Sequence, residues 1–469
     1  MKKVIKGILR YVLIFVVLLG IYFVLLTLTS LIPSSTLEEH VRESSETLVE
    51  EGEKVTYNLG YKEENIFTFT DALMINTAYS VDSREPVKSF ILARKNYIPG
   101  QTEEVYMDKQ YNLGANKNYI NPDTGDLYQT KELYGLMHGE DIKDSYEYAR
   151  YWHGYLAVLR PLLFLFNYEG VRVVLFILTL IAVISMVILI IKKINITSGI
   201  IYAIGLLSIS IFIVTRSINE ILIFLVAFIS SIILLLLKDK IKHVGIFFFI
   251  VGSVSSFIDL FTAPLVTLGL TAITYFLILQ KDEENITVKK YILELLKIGI
   301  SWALGYGITW VSKWIIVQLL YNRPIITQAI EQMMFRSDVP QYKGMDLFTP
   351  LDVIKRNLDY LSGPVVMALV AIVAIYIIVM LIKNFKNEIN IKQNLKDCIP
   401  YAVIFFLPLA WYVVIKQHSY THVNFTYRLL VISIICVLII ATKVFSNRES
   451  VKKIEDKSEI KENKAKTEN

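Results

Sequence analysis

The residues of this chain that could do chemistry are acids and cations set beside or inside long apolar runs. Asp71 stands in Thr68-Phe69-Thr70-Asp71-Ala72-Leu73, and Glu220 follows Asn219 at the head of the apolar run Ile221 to Leu237. A carboxylate at the watery edge of a membrane can take the proton from an attacking hydroxyl. It can equally cap a helix or sit solvated, and Asp259, in Phe257-Ile258-Asp259-Leu260, reads first as a turn residue. Lys313 lies within Trp310-Val311-Ser312-Lys313-Trp314, inside an apolar stretch where an ionisable group is costly and marks a functional hypothesis. His418 and His422 are four residues apart, a spacing that can place two imidazoles on one helix face for a metal, a phosphate or a sugar. Arg428, just before the last apolar run, has the planar fork that grips a phosphate with two hydrogen bonds. Arg150, His153, Arg160 and Arg172 add positive charge around a short apolar segment, Tyr155 to Phe166.

The elements that must position these groups are membrane helices. Of 469 residues, 54% are hydrophobic and 19% charged, and the charges cluster between apolar runs. A soluble domain is ~45–50% apolar, so the expected fold is an all-α polytopic membrane protein. The net charge of +5 matters through its distribution, because Lys and Arg near spans set orientation. Cys398 and Cys436 lack a CxxC spacing, so neither a zinc site nor a disulfide framework is implied.

Residues 1–32 read as a retained first transmembrane helix. Residues 33–168 read as an extracytoplasmic loop with a membrane-surface helix, and 169–320 as a transmembrane core. A second outer loop over 321–362, C-terminal transmembrane helices over 363–442 and a disordered cytoplasmic tail over 443–469 complete the chain. About ten spans with both termini in the cytoplasm place the Lys-rich loops inside. That count requires Tyr155–Phe166, broken by Arg160-Pro161, to be re-entrant or interfacial; as a crossing span it would send Lys192, Lys193 and later Lys clusters outside. A label applied from outside should then reach His153 and miss Thr197. About half of the 28 tyrosines lie between Tyr57 and Tyr168, and their amphipathic rings suit a membrane interface or a sugar.

One span, a long loop with an acid, Trp152-His153-Gly154-Tyr155-Leu156, then Leu159-Arg160-Pro161-Leu162, then Glu169-Gly170-Val171-Arg172 leading into a span, and Asn219-Glu220 two spans later form a pattern. It resembles the GT-C superfamily of integral-membrane glycosyltransferases, such as protein O-mannosyltransferases and lipid A aminoarabinose transferases. The likeness covers about residues 1–280 in layout. Gly154-Tyr155 replaces the family's Pro-Pro, and Asp71 lies far from the end of the first span, which leaves Asp82 and Asp144 as rivals for the base. The resemblance implies inverting transfer of a sugar from a polyprenyl-phosphate donor to an extracytoplasmic envelope glycan, lipid or protein acceptor at the cell membrane, and the Lys/Ile/Asn-rich composition suggests a bacterial source. Asp71 and Glu220 would be the catalytic acids, and Arg428, His418, His422 and Lys313 the groups at the donor phosphate. His153, Arg160 and Arg172 would support the surface helix. No cofactor is named by the residues; a divalent ion such as Mg2+ or Mn2+ is one way to stabilise the departing phosphate. Nucleic acid is not an expected partner. The other classes open to such a chain are a transporter or flippase for a glycan precursor and an envelope scaffold.

Overall fold

A computed structural model describes residues 2–98, 105–107, 128–140, 145–337, 349–361, 363–384 and 391–444. Asp144 and nearly all of the expected tail lie outside the described residues. Helix α1 (Lys2–Ser30) is apolar all round, and Leu18, Tyr22 and Leu26, one turn apart, form its inward stripe while Ile5, Leu9, Val12 and Val16 stay exposed. Helix α2 (Glu38–Glu51) buries Val41, Ser44, Ser45 and Leu48 and turns its acids outward. Strands β1 (Lys54–Asn58) and β2 (Glu63–Phe67) form an antiparallel hairpin. Gly60 supplies the positive φ of its turn, and its N–H donates to Asn58 Oδ1 at 2.7 Å. Helices α3 (Phe69–Tyr79) and α4 (Pro86–Leu92) follow, then β3 (Arg94–Lys95), β4 (Val105–Met107), α5 (Gln129–Met137) and β5 (Ser145–Glu147). β5 lies between β3, antiparallel, and β4, parallel. The first loop of a chain expected to be all-α thus contains two small sheets.

Helix α6 (Leu156–Leu165) is the short apolar segment. At ~1.5 Å per residue it cannot cross a ~30 Å hydrocarbon core. It lies across the end of α1: the Arg160 guanidinium, fully buried, donates to the Thr29 carbonyl at 3.0 Å and also to the carbonyls of Ile32 and Ala78. The Thr29 and Ala78 carbonyls lie in the last turns of α1 and α3, where no amide of the same helix is left to meet them, and Ile32 lies two residues beyond α1. Phe164, Leu165 and Phe166 remain exposed.

The bundle comprises α7 (Tyr168–Lys193), α8 (Ile196–Ser208), α9 (Ile211–Val214), α10 (Ile218–Leu237), α11 (Val244–Ile258), α12 (Leu265–Asp282) and α13 (Val288–Tyr321). After α14 (Ile325–Arg336) and α15 (Pro350–Tyr360) come α16 (Gly363–Asn384), α17 (Ile391–Phe405) and α18 (Leu407–Val414). The chain closes with α19 (Lys416–Thr421), α20 (Val423–Thr426) and α21 (Leu430–Val444). Seven helical segments among the described residues are long and apolar enough to cross a membrane, or eight if α15 and α16, bent by 85°, are one broken span. The other two of the ten expected places hold the shorter apolar helices α8 and α11, of 13 and 15 residues. The protein is a multi-pass, predominantly helical membrane protein.

Side-chain pairs fix two poles. At one, Gln280 donates to the Asp397 carbonyl at 2.7 Å, Tyr291 donates to Asp397 Oδ1 at 2.9 Å and Lys238 pairs with Asp282. At the other, the first loop is stapled to α13. Trp310 and Trp314, one turn apart, both donate to the Arg150 carbonyl, at 2.9 and 3.0 Å, and Trp152 donates to the Thr309 carbonyl at 2.6 Å. Gly154 completes the staple: its N–H donates to the Phe257 carbonyl at 2.8 Å, and a Cβ there would meet that oxygen at 2.4 Å.

Two outcomes follow. Gly154→Ala should lower the melting temperature of the detergent-solubilised protein, with a cost of about 1–3 kcal/mol for the forced shift of backbone; an unchanged melt would remove the contact from the fold. For orientation, His153 is only 1% exposed and cannot serve as the accessible reporter, whereas Tyr61 is 53% exposed and Thr197 is exposed at the opposite pole. A membrane-impermeant maleimide should label Tyr61→Cys in intact cells and Thr197→Cys only after permeabilisation.

Candidate functional site

Three separate stretches meet at the loop pole. Strand β2 brings Glu64 with Lys62 just before it, the first turn of α10 brings Glu220, and the chain entering α21 brings Arg428. Arg428 is 0% exposed, Glu220 2% and Glu64 1%. Arg428 Nη1 donates to Glu220 Oε2 and, at 2.5 Å, to the Asn424 carbonyl, and Nη2 lies 3.5 Å from Glu64 Oε2. Lys62 pairs with Glu64 at 2.5 Å, and the Tyr427 hydroxyl reaches both oxygens of Glu64 at 2.8 Å. Burial acts to raise the Glu64 carboxyl, but Arg428 and Lys62 outweigh it and hold it below the ordinary range. The described partners leave Glu220 Oε1 and Arg428 Nε buried without a hydrogen bond. Such orphans are uncommon and each needs an explanation, a bound group among them.

Asp71 touches this cluster from below. It is 0% exposed and accepts four hydrogen bonds: from Tyr168 OH at 2.8 Å, Ile218 N–H at 2.9 Å, Asn219 N–H at 3.0 Å and Ser217 Oγ at 3.2 Å. Ser217 in turn accepts the Glu220 N–H at 3.3 Å. The first three amides of α10, which no helix can satisfy internally, are thus met by Asp71 and Ser217. Burial pushes the Asp71 carboxyl up, against the pull of the Asn219 N–H, Arg172, the Ile218 N–H and Tyr168. Asp71 is therefore built as the anchor of α10, and of the two expected catalytic acids it is Glu220 that keeps an oxygen without a partner among the described residues.

Behind it runs a relay. Arg172 donates to Tyr168 OH at 2.6 Å, grips Glu51 at 2.7 and 2.8 Å, meets Glu169 at 2.7 Å and donates from Nε to the Arg216 carbonyl at 2.9 Å. Its charge is committed to those acids. The His153 ring donates from Nε2 to the Tyr148 carbonyl at 2.6 Å and accepts from Tyr155 OH at 3.0 Å. Burial, with Lys313 nearby, pushes it down to about 3, so it stays neutral. Lys313 itself is fully buried, donating to the Phe90 carbonyl at 2.9 Å with its Nζ 5.4 Å from the Trp152 ring centre. That contact belongs to the staple between loop and α13, so the expected placement of Lys313 at the donor phosphate has no counterpart in its contacts. Asp82 is taken up by Arg84, at 2.5 and 2.9 Å.

A second cluster flanks the first. His418 and His422 lie with ring centres 4.8 Å apart, and His418 is 5.2 Å from Phe261, in the hairpin between α11 and α12. Phe261 has φ +70°, a strained conformation for a bulky residue. The same hairpin reaches the first cluster, since Thr262 Oγ1 donates to Asn219 Oδ1 at 3.1 Å. Arg336, which sequence reading did not single out, donates to His418 Nδ1. Burial first, and then Arg336, hold both imidazoles far below their ordinary value, His422 at about 3. Among the described residues no three His, Cys, Asp or Glu side chains converge as metal ligands. Sequence reasoning thus missed Glu64, Lys62 and Arg336. Glu64 sits in, and Lys62 just before, a polar strand resembling many solvated ones, and Arg336 in a stretch read as an outer loop of mixed charge.

No protein-family model matches the chain, and neither the curated proteins nor the solved structures contain a match.

Asp71→Asn keeps one acceptor oxygen and should cost about 1–3 kcal/mol, the range for weakening a buried charge-assisted set, read as a lower melting temperature. Asp259 gives a pH signature. It is 4% exposed, takes the Thr262 N–H at 2.9 and 3.0 Å, and is pushed up by burial to about 7. Its protonated form is favoured by folding, so this contribution is complete below the ~4 of an unfolded carboxyl and is lost as pH rises through about 7. Wild type should melt lower at pH 8 than at pH 6, and Asp259→Asn should remove part of that difference.

Proposed function

We propose that the chain is a membrane glycosyltransferase that moves a sugar from a polyprenyl-phosphate donor to an extracytoplasmic acceptor. The observation that carries the reading is the meeting of Glu220, Arg428, Glu64 and Lys62 at the loop end of the bundle, with one Glu220 oxygen lacking a partner among the described residues. The GT-C resemblance of the Trp152–Leu156, Arg160 and Asn219-Glu220 segments points the same way. In this reading the loop pole faces away from the cytoplasm, as the Lys-rich loops at the opposite pole favour.

Glu220 Oε1 removes the proton from the acceptor hydroxyl. That oxygen attacks the anomeric carbon, the bond from carbon to phosphate oxygen breaks, and the polyprenyl phosphate leaves with the electron pair, inverting the centre. Arg428 and Glu64 hold Glu220 and its neighbours in place inside a site of low dielectric, where oriented charges act strongly. Asp71 is a positioning residue, acting through the first turn of α10. His418 and His422, neutral and at the flank, face the phosphate side. A metal ion enters no step of this scheme.

The reading is tested by reconstituting the purified protein with a panel of polyprenyl-phosphate sugars and envelope glycan acceptors. Glu220→Gln should reduce transfer by about 10²–10⁴-fold, the range for a lost general base, in an assay run well below its melting temperature, which falls because the buried Arg428 loses a charged partner. Glu220→Gln with full activity, or wild type inert with every donor but able to move a labelled lipid-linked glycan across a vesicle, would replace the transferase reading with transport.

A further inference from the structure

The cations of the loop pole fall into two electrostatic settings. Arg428 stands between Glu220 and Glu64, and Arg172 between Glu51 and Glu169. A phosphate brought to either would face carboxylates on arrival. Arg336 differs. It ends α14, is half-buried, and makes no ion pair among the described residues; its guanidinium lies 5.7 Å from the Phe261 ring centre and donates to His418 Nδ1. Because that nitrogen accepts, the His418 proton is on Nε2, so the ring adds a donor and no negative charge. The nearby acid, Asp259, has both oxygens turned to the Thr262 N–H of its own hairpin.

The surroundings are rich in donors and apolar surface. Trp411 Nε1 is buried with no partner among the described residues, and the Trp411 ring lies 5.1 Å from Phe261, itself 5.2 Å from His418. An unpartnered indole N–H near a guanidinium with no ion pair among the described residues is what an oxyanion with several acceptor oxygens can satisfy. On the same helix as Arg336, Ile330 and Met333 are 49% and 46% exposed, an apolar surface suited to an acyl or prenyl chain. The left-handed backbone of Phe261 places its ring against His418 and beneath Arg336, strain of the kind found at ligand clamps.

We propose that Arg336, with His418 and His422, seats the phosphate of a prenyl-phosphate lipid, and that Arg428 is reserved for the catalytic carboxylates. This rests on the transferase reading for its role but not for its test, which measures binding alone. Full-length protein in nanodiscs of zwitterionic lipid is titrated with farnesyl phosphate, farnesol and inorganic phosphate, following tryptophan emission, since Trp310 and Trp411 lie 5.3 and 5.1 Å from Phe261. Farnesyl phosphate should bind at least tenfold more tightly than farnesol or inorganic phosphate. Arg336→Gln should weaken it at least tenfold, Arg336→Lys should fall between, and Arg42→Gln, an exposed arginine on α2, should match wild type. Arg336→Gln within twofold of wild type, or farnesol binding as well as farnesyl phosphate, overturns the seat. Inorganic phosphate binding as tightly as farnesyl phosphate overturns the lipid as its ligand. Binding that depends on Arg336 in a protein that transfers no sugar would sink the transferase and keep the seat; transfer that is indifferent to Arg336→Gln would do the reverse.

Discussion

Arg428 carries a permanent charge with no exposed surface, at the level where the last helix enters the bundle. An ion so placed loses hydration worth several kcal/mol and must recover it from the protein. The acceptors come from far along the chain: Glu64 from a hairpin of the first loop, Glu220 from the first turn of α10, and the Asn424 carbonyl from its own approach. Meeting that demand draws three otherwise independent pieces together. The hairpin is pinned to the bundle, the loop ends of α10 and α21 are held side by side, and one Glu220 oxygen is left buried without a partner among the described residues.

The same physics recurs around it. Irregular backbone at membrane depth persists only where its polar groups are met by protein or water. Arg160 answers the last carbonyls of α1 and α3, Asp71 and Ser217 answer the first amides of α10, and three indole N–H groups answer the carbonyls of Arg150 and Thr309. Each is a polar side chain projecting from one element to complete the end of another. The described part of the loop is consequently packed on the bundle, in contact with α13, α10 and the approach to the last span.

The division of labour among the charges follows from pairing. Charges already matched by opposite partners, such as Arg172 and Asp82, shape the fold; Glu220, with one oxygen lacking a partner, and Arg336, with no ion pair, both among the described residues, are left to act on something else. Lys313 illustrates the opposite fate, a cation inside a span whose contacts are a backbone carbonyl and an aromatic face.

Periodicity and length in the sequence determined the class of protein, the places of the long apolar helices and the short, uncrossing nature of the segment around Arg160, because burial in lipid demands a minimum run of apolar residues and records itself locally. The acids and cations at the ends of those runs, Asp71, Glu220, His418, His422 and Arg428, were legible for the same reason: a charge beside a span is conspicuous. Their roles were not. Whether Asp71 is a base or an anchor, whether Arg428 meets a phosphate or two carboxylates, and whether Glu64, Lys62 and Arg336 belong to the site at all depends on which distant groups lie within about 3 Å of them. Pairing of that kind has no signature in local spacing. It is decided only when the chain has folded and each buried charge has found, or lacked, its partner.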